Sequence, residues 1–226
     1  MTVQAVIFDW GGTLTPWHNV SPAELWLTAC QPHFPAAEAA ASAAALCAAE
    51  DVLWQSCDSD HRGATMADLF GLAQLAATDG LLASYLAAWE PHTVTDPDVL
   101  GLFGQLRDRD IRIGVLSNTL WPRHWHENVF RRDGVLGLID GAVYSSEIGW
   151  SKPHPAAFTA AMRAVGVTDP AGCVFVGDRP YQDVHGAQQA GMRAVLIPNG
   201  DVPGFSATPD AVISRIADLG PLLADW

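Results

Sequence analysis

The segment 174–183 reads Val-Phe-Val-Gly-Asp-Arg-Pro-Tyr-Gln-Asp, and it limits the folds open to this chain more than any other stretch. A short apolar run ends in Gly177-Asp178, and a second acid, Asp183, follows five residues later. That pattern predicts a parallel strand buried on both faces, an acidic loop, and a helix starting near Asp183. Open α/β sheets place their chemistry outside the carboxyl ends of such strands. Two carboxylates on one short loop repel unless a cation or a lysine neutralises them, so the segment predicts a hard-metal site. Other parts of the chain match that need. Asp9 ends a second apolar strand, Ser117 ends a third, and Lys152, the sole lysine, sits in a loop.

The remaining pattern is that of a doubly wound parallel sheet. Residues 3–8 (Val-Gln-Ala-Val-Ile-Phe) predict a central strand, and Gly11 and Gly12 allow a tight turn and close approach to a ligand. From about 17 to 92 the character changes. Ser21-Pro22 reads as a helix start, and 22–30, 36–57, 65–77 and 79–90 carry Ala, Leu and Trp at helical spacing with no convincing strand. From 93 strands and helices alternate. Asp96 caps a helix to about 109. Strands are expected at 111–116, 141–144, 173–177, 193–197 and 211–213, and helices at 122–132, 155–165 and 183–190, with a short helix closing the chain. The expected architecture is an α/β core domain built from 1–16 and 93–226, with an all-helical cap domain inserted at 17–92.

Bulk properties exclude several classes. With 226 residues, 49% hydrophobic and 16% charged, the chain is globular and long enough for a full core plus an insert. A net charge of −13 leaves no basic stripe for nucleic acid and disfavours an anionic membrane surface. A small anionic substrate is compatible only if a metal and one or two cationic groups are focused on it. The Ala-rich run 36–49 is too short and too interrupted to span a bilayer. The four cysteines have no zinc spacing and read as buried small hydrophobes of a reducing cytoplasm. The N-terminus lacks a basic region and reads as a strand rather than a signal peptide, so a cytoplasmic location is expected.

Four spaced elements carry a family resemblance: Phe8-Asp9-Trp10-Gly11-Gly12-Thr13-Leu14, Leu116-Ser117-Asn118, Ser151-Lys152-Pro153-His154-Pro155, and Gly177-Asp178 with Asp183. Over essentially its whole length the chain resembles the haloacid dehalogenase-like (HAD) hydrolase superfamily, in the form with a helical cap inserted after the first strand. The resemblance implies a Rossmann-like core and a phosphatase acting on a small phosphorylated metabolite. It implies that Asp9 is both nucleophile and metal ligand, attacking phosphorus to form an aspartyl-phosphate. Trp10, Gly11, Ser117 and Asn118 are then expected around the phosphoryl oxygens, and Lys152 neutralises the charge of Asp9 and the phosphoryl group. Asp9, Asp178 and the Gly11 carbonyl would form an oxygen-rich site suited to Mg²⁺. Asp183 is expected behind them, orienting Lys152 or a metal-bound water.

One position departs from that pattern. Two residues after the nucleophile, the phosphatase branch usually has a second Asp that protonates the leaving group; here it is Gly11. Such general acid–base help is worth ~10²–10⁴ in rate. The substrate could have a good leaving group, or a histidine (His18, His124 or His126) could substitute. The chain could also be a metal- and phosphate-binding protein with little turnover. Phosphonoacetaldehyde hydrolases also lack that Asp, and their first motif resembles Asp9-Trp10-Gly11-Gly12-Thr13. They need a cap lysine, and 17–92 contains none. The 2-haloacid dehalogenases use no metal and lack the Gly-Asp pair found here at 177–178. The cap carries nine acids and one fixed cation, Arg62, so it is a poor second clamp for a polyanion. Of its tryptophans (Trp17, Trp26, Trp54 and Trp89), most are expected in the core, with one or two lining a cleft suited to a sugar or an apolar leaving group.

Overall fold

The computed structural model describes residues 2–16, 19–198 and 202–226. Six parallel strands form one sheet: β1 (Ala5–Phe8), β2 (Arg112–Ser117), β3 (Gly141–Tyr144), β4 (Cys173–Gly177), β5 (Arg193–Leu196) and β6 (Ala211–Val212). Their spatial order is β3-β2-β1-β4-β5-β6. The chain winds outward from β1 to β3, then crosses over to build β4 to β6 on the other side. The order therefore reverses beside β1, and the crevice at that switch point is where sheets of this type bind ligands. The register pairs Phe8 with both Val115 and Val176, so the residues that follow β1, β2 and β4 emerge at one edge.

Alternate strand residues feed two separate cores. Val6, Phe8, Val115, Val174 and Val176 pack on one face with Val99, Phe103 and Leu106, while Ala5, Ile7, Leu116 and Phe175 pack on the other with Phe158, Ala161 and Met162. Burial on both faces is why these strands read as unbroken apolar runs. The covering helices are the elements expected between strands, and they share a stripe of inward apolar side chains.

Between β1 and β2 lie four helices: α1 (Pro22–Cys30), α2 (Ala36–Asp60), α3 (Met66–Ala73) and α4 (Asp79–Trp89). Side-chain caps from Ser21, Thr65 and Thr78 start three of them. Trp26, Leu46, Leu69, Phe70, Leu81 and Tyr85 form their shared core, which Leu120, Trp121 and Trp125 complete from beyond β2. The helices are also tied to the sheet side by main chain. Ser151 donates to the His61 carbonyl at 2.9 Å, and Gly63 donates to Gly149 at 3.1 Å. No helix among the described residues is long and apolar enough to cross a membrane.

The remaining helices are α5 (Pro97–Asp108), α6 (Arg123–Arg132), α7 (Ser145–Ile148), α8 (Pro155–Ala164), α9 (Gly186–Gln189) and α10 (Leu219–Leu222). Three details differ from the sequence expectation. The helix expected over 65–77 stops at Ala73, because Gln74 takes a left-handed φ of 54°. The helix expected from Asp183 begins earlier, as a π-helical turn over Pro180–His185. The four-residue α7 was not expected, since one turn is too short to give a periodic signal.

Candidate active site

The edge formed by β1, β2 and β4 gathers the acids. Asp9 leaves β1 with its N–H donated to the Val176 carbonyl at 2.9 Å, which locks it to the strand that delivers Asp178. The chain then turns sharply. The Trp10 carbonyl accepts from the N–H groups of Thr13, Leu14 and Thr15 at 2.9 to 3.3 Å. Gly12 supplies the positive φ, 79°, that closes this turn. The Trp10 ring packs 5.5 Å from Trp121 and 4.5 Å from His126.

Lys152 reaches this edge from the loop before α8. It is 1% exposed, and its Nζ lies 2.7 Å from Asp9 Oδ1 and 2.7 Å from Asp183 Oδ1. Asn118 holds its backbone from both sides: Oδ1 accepts from the Lys152 N–H at 2.7 Å, and Nδ2 donates to the Lys152 carbonyl at 3.0 Å. The amide expected beside a phosphoryl group thus positions the lysine. The Lys152–Pro153 peptide is cis. Burial alone would push Lys152 down, but Asp183 and Asp9 reverse that and hold the ammonium above its ordinary value.

The π-helical turn sets the second acid. Asp183 Oδ2 accepts from the Arg179 N–H at 2.8 Å, while the Asp183 N–H donates back to the Arg179 carbonyl at 2.9 Å. The carboxylate lies directly over Gly177, and a Cβ there would overlap it. Asp178 is different. It is 1% exposed, and neither of its carboxylate oxygens has a hydrogen-bond partner. Asp9, Asp178 and Asp183 each offer an oxygen within 4.8 Å of the others, and this is a cluster that could hold a metal. Three carboxylates against one ammonium leave two excess negative charges in a buried volume. An all-oxygen donor set with that excess fits a hard divalent cation.

The pKa shifts locate the strain. Burial, with Asp9 and Asp183 adding to it, pushes Asp178 up to about 8. Burial pushes Asp183 up as well, but Lys152 and the Arg179 N–H oppose it. In the metal-free protein the shared proton therefore belongs on Asp178, whose oxygens accept no hydrogen bond and for which the opposing pull of Arg179 and Lys152 is outweighed.

A cleft of about 450 Å³ opens over Asp9, Gly11, Ser117 and Lys152. Ser117, at the end of β2, is 3% exposed. A Cβ at Gly11 would meet no atom within 4 Å. The opposite walls come from the helical insert: Glu50, Trp54 and Asp58 of α2, and Tyr85 and Trp89 of α4, with His92 just beyond. Sequence reasoning missed most of this wall. Its signal was present, because 50, 54 and 58 share one helical face, as do 85 and 89.

Of the histidines considered as substitutes for the missing acid, His124 and His126 do not line this cleft. His126 is fully buried, stacked 4.4 Å from Tyr144, with Nε2 3.1 Å from Thr119 Oγ1. Burial, aided by Arg123, pushes it down to about 3, so it stays neutral. His124 is exposed on α6. Trp17 and His18 lie outside the described residues.

A family model described as haloacid dehalogenase-like hydrolase matches residues 3–191. The chain belongs to the haloacid dehalogenase-like hydrolase family. It is 38% identical over 120 residues to a glyceraldehyde 3-phosphate phosphatase of Methanopyrus kandleri, covering 48% of this chain and 50% of that protein. The chain spans about half the length of the phosphatases it matches. It is 25% identical to a phosphonoacetaldehyde hydrolase of Bordetella pertussis, over 99% of this chain and 92% of the relative. A solved 2-haloacid dehalogenase of Pseudomonas syringae pv. Tomato superposes with a TM-score of 0.71 at 26% identity, covering 100% of each chain.

Proposed function

We propose that this hydrolase is a Mg²⁺-dependent phosphatase acting on a small phosphomonoester. The observation that carries the reading is Asp178, whose two buried oxygens lack partners beside two further acids and one lysine. Asp9, Asp178 and the Gly11 carbonyl would hold the ion, which supplies Lewis-acid stabilisation of phosphoryl charge. An Asp9 oxygen attacks phosphorus, the bond from phosphorus to the leaving oxygen breaks, and an aspartyl-phosphate forms. Water then cleaves that acyl phosphate and regenerates the carboxylate. Lys152, held by Asn118 and backed by Asp183, pairs with Asp9 and offsets phosphoryl charge. Ser117 donates its hydroxyl to a phosphoryl oxygen. The division into a core of 1–16 and 93–226 and a cap of 17–92 belongs to the same proposal, with the cleft between the two parts.

The relatives with other chemistries fit less well. A lysine-dependent phosphonoacetaldehyde cleavage has no cap lysine to use, because the single lysine is paired with Asp9 and Asp183. A metal-free dehalogenase leaves the Asp178 oxygens without a role.

The test is p-nitrophenyl phosphate, whose leaving group needs little protonation. Release that requires Mg²⁺ and is lost in Asp9→Asn supports the proposal. A properly folded wild type with no Mg²⁺-dependent release, from this ester or a broad phosphate panel, rejects it in favour of a binding protein with little turnover.

A thermal prediction concerns the metal site alone. An acid whose folded pKa is raised binds more protons in the native state than in the unfolded one. The metal-free protein should therefore lose stability as pH rises from about 4 towards 8. Saturating Mg²⁺ should cancel that loss. Asp178→Asn should flatten the profile without metal and abolish the Mg²⁺-induced rise in Tm. Scanning fluorimetry at several pH values reads all three, and a metal-free Tm that climbs across the window contradicts the assignment.

A further inference from the structure

The wall facing the phosphoryl edge has a specific chemistry. Trp89 and Trp121 meet edge-to-face with ring centroids 5.8 Å apart, and Tyr85 stands 6.2 Å from Trp121 at 75°. Trp10 extends the group, 5.5 Å from Trp121. Trp54 lines the same cleft from α2. Two carboxylates of α2 line the cleft beside these rings; Asp58 accepts from Gln182 Nε2 at 3.1 Å, and the one bonded to the aromatic groups is Glu50. Its Oε2 accepts from Trp26 Nε1 at 2.7 Å and its Oε1 from Trp54 Nε1 at 3.3 Å. Two neutral donors fix the carboxylate in place without cancelling its charge.

Among the described residues, no lysine or arginine of the insert lines the cleft. Arg62, its one fixed cation, lies over the Trp150 ring at 4.4 Å, away from the lining. The lysine and the arginine in the lining, Lys152 and Arg179, come from the sheet side, and the insert adds only the imidazole of His92 at its end. The cleft is therefore polarised. One end suits phosphate, and the other is lined by aromatic rings beside a carboxylate. Electron-rich ring faces bind ammonium groups, and a neighbouring carboxylate supplies the counter-charge.

We infer that the leaving group carries a cation, and that the substrate is the phosphomonoester of an amino alcohol whose ammonium head sits among Trp54, Tyr85, Trp89 and Trp121 against Glu50. This deepens the phosphatase reading and rests on it for the phosphate end. It also explains why an insert with nine acids can face a phosphoester. Only Glu50 and Asp58 of those acids line the cleft, where they face the head, and the phosphate is left to Lys152. Burial outweighs the two indole donors and holds Glu50 above its ordinary value, as expected for a carboxylate lacking its ionic partner.

The test separates the two claims, because it binds the head without phosphate. Choline is titrated into the wild-type protein against 3,3-dimethylbutanol, its uncharged isostere, with tryptophan fluorescence as the readout. Choline should bind at least about tenfold more tightly, and Glu50→Gln should remove that preference. Equal affinity for the two alcohols in the wild type overturns the inference without any variant being needed. So does a folded Glu50→Gln that keeps the preference. In turnover, phosphocholine should exceed 3,3-dimethylbutyl phosphate in kcat/KM by a similar factor. Choline binding without hydrolysis of any phosphoester would instead count against the phosphatase reading and leave the cation site standing.

Discussion

Lys152→Met should cost the fold about 3–5 kcal/mol and abolish turnover, because it leaves buried carboxylates on both sides of the missing ammonium. The loop should survive the change. Asn118 binds the backbone of residue 152, not its side chain, and those two hydrogen bonds remain. The loss should therefore read as charge and not as collapse. Its pH dependence has a definite sign. Without Lys152, Asp183 keeps the burial that pushes it up and loses the nearest charge that pulled it down. A raised acid destabilises the native state above its unfolded pKa, so the deficit should be full near neutrality and shrink as pH falls towards about 4. Urea unfolding of wild type and variant at both ends of that range measures it. A deficit independent of pH would mean that packing against Phe175, 5.2 Å from Nζ, dominates instead.

Gly11→Asp should raise turnover of alkyl phosphates by ~10²-fold or more, in the range that a positioned general acid supplies. The structure offers room for it, since nothing lies within 4 Å of a Cβ at that position. The change should have little effect on p-nitrophenyl phosphate, whose leaving group needs no proton. The ratio of the two rates is therefore the informative quantity. An unchanged ratio would mean that leaving-group protonation is not what limits this enzyme. A fall on both substrates would mean that the added carboxylate competes with Asp9 or Asp178 for the ion.

The two predictions draw on different levels of what could be read from the residues. The sheet was legible because its strands are buried on both faces and so appear as short apolar runs such as Val174-Phe175-Val176. The acids and Lys152 were legible because each ends or follows such a run. The π-helical turn was less so: Pro180 and Tyr181 carry no periodic mark, and only the packing of Asp183 onto Gly177 requires the wider turn. Asn118 sat in the right motif, but the use of its amide depends on where a loop 34 residues away returns. His126 looked available in a polar helix, yet α6 turns it inward between Tyr144 and Trp10. The cleft wall was written at helical spacing in Glu50, Trp54 and Asp58. What it faced could not be read before the insert was docked.

Gly177 holds a further consequence. At the end of β4 the space that any other amino acid would fill is taken by an acid from the following turn, so backbone and carboxylate sit in direct contact. The electrostatic centre of this enzyme is thus anchored by a missing methyl. Even the smallest enlargement there should shift the lysine's partner before it disturbs the strand. A catalogue of tolerated substitutions across the chain should accordingly find alanine at 177 about as harmful to catalysis as the loss of a charge, though it removes none.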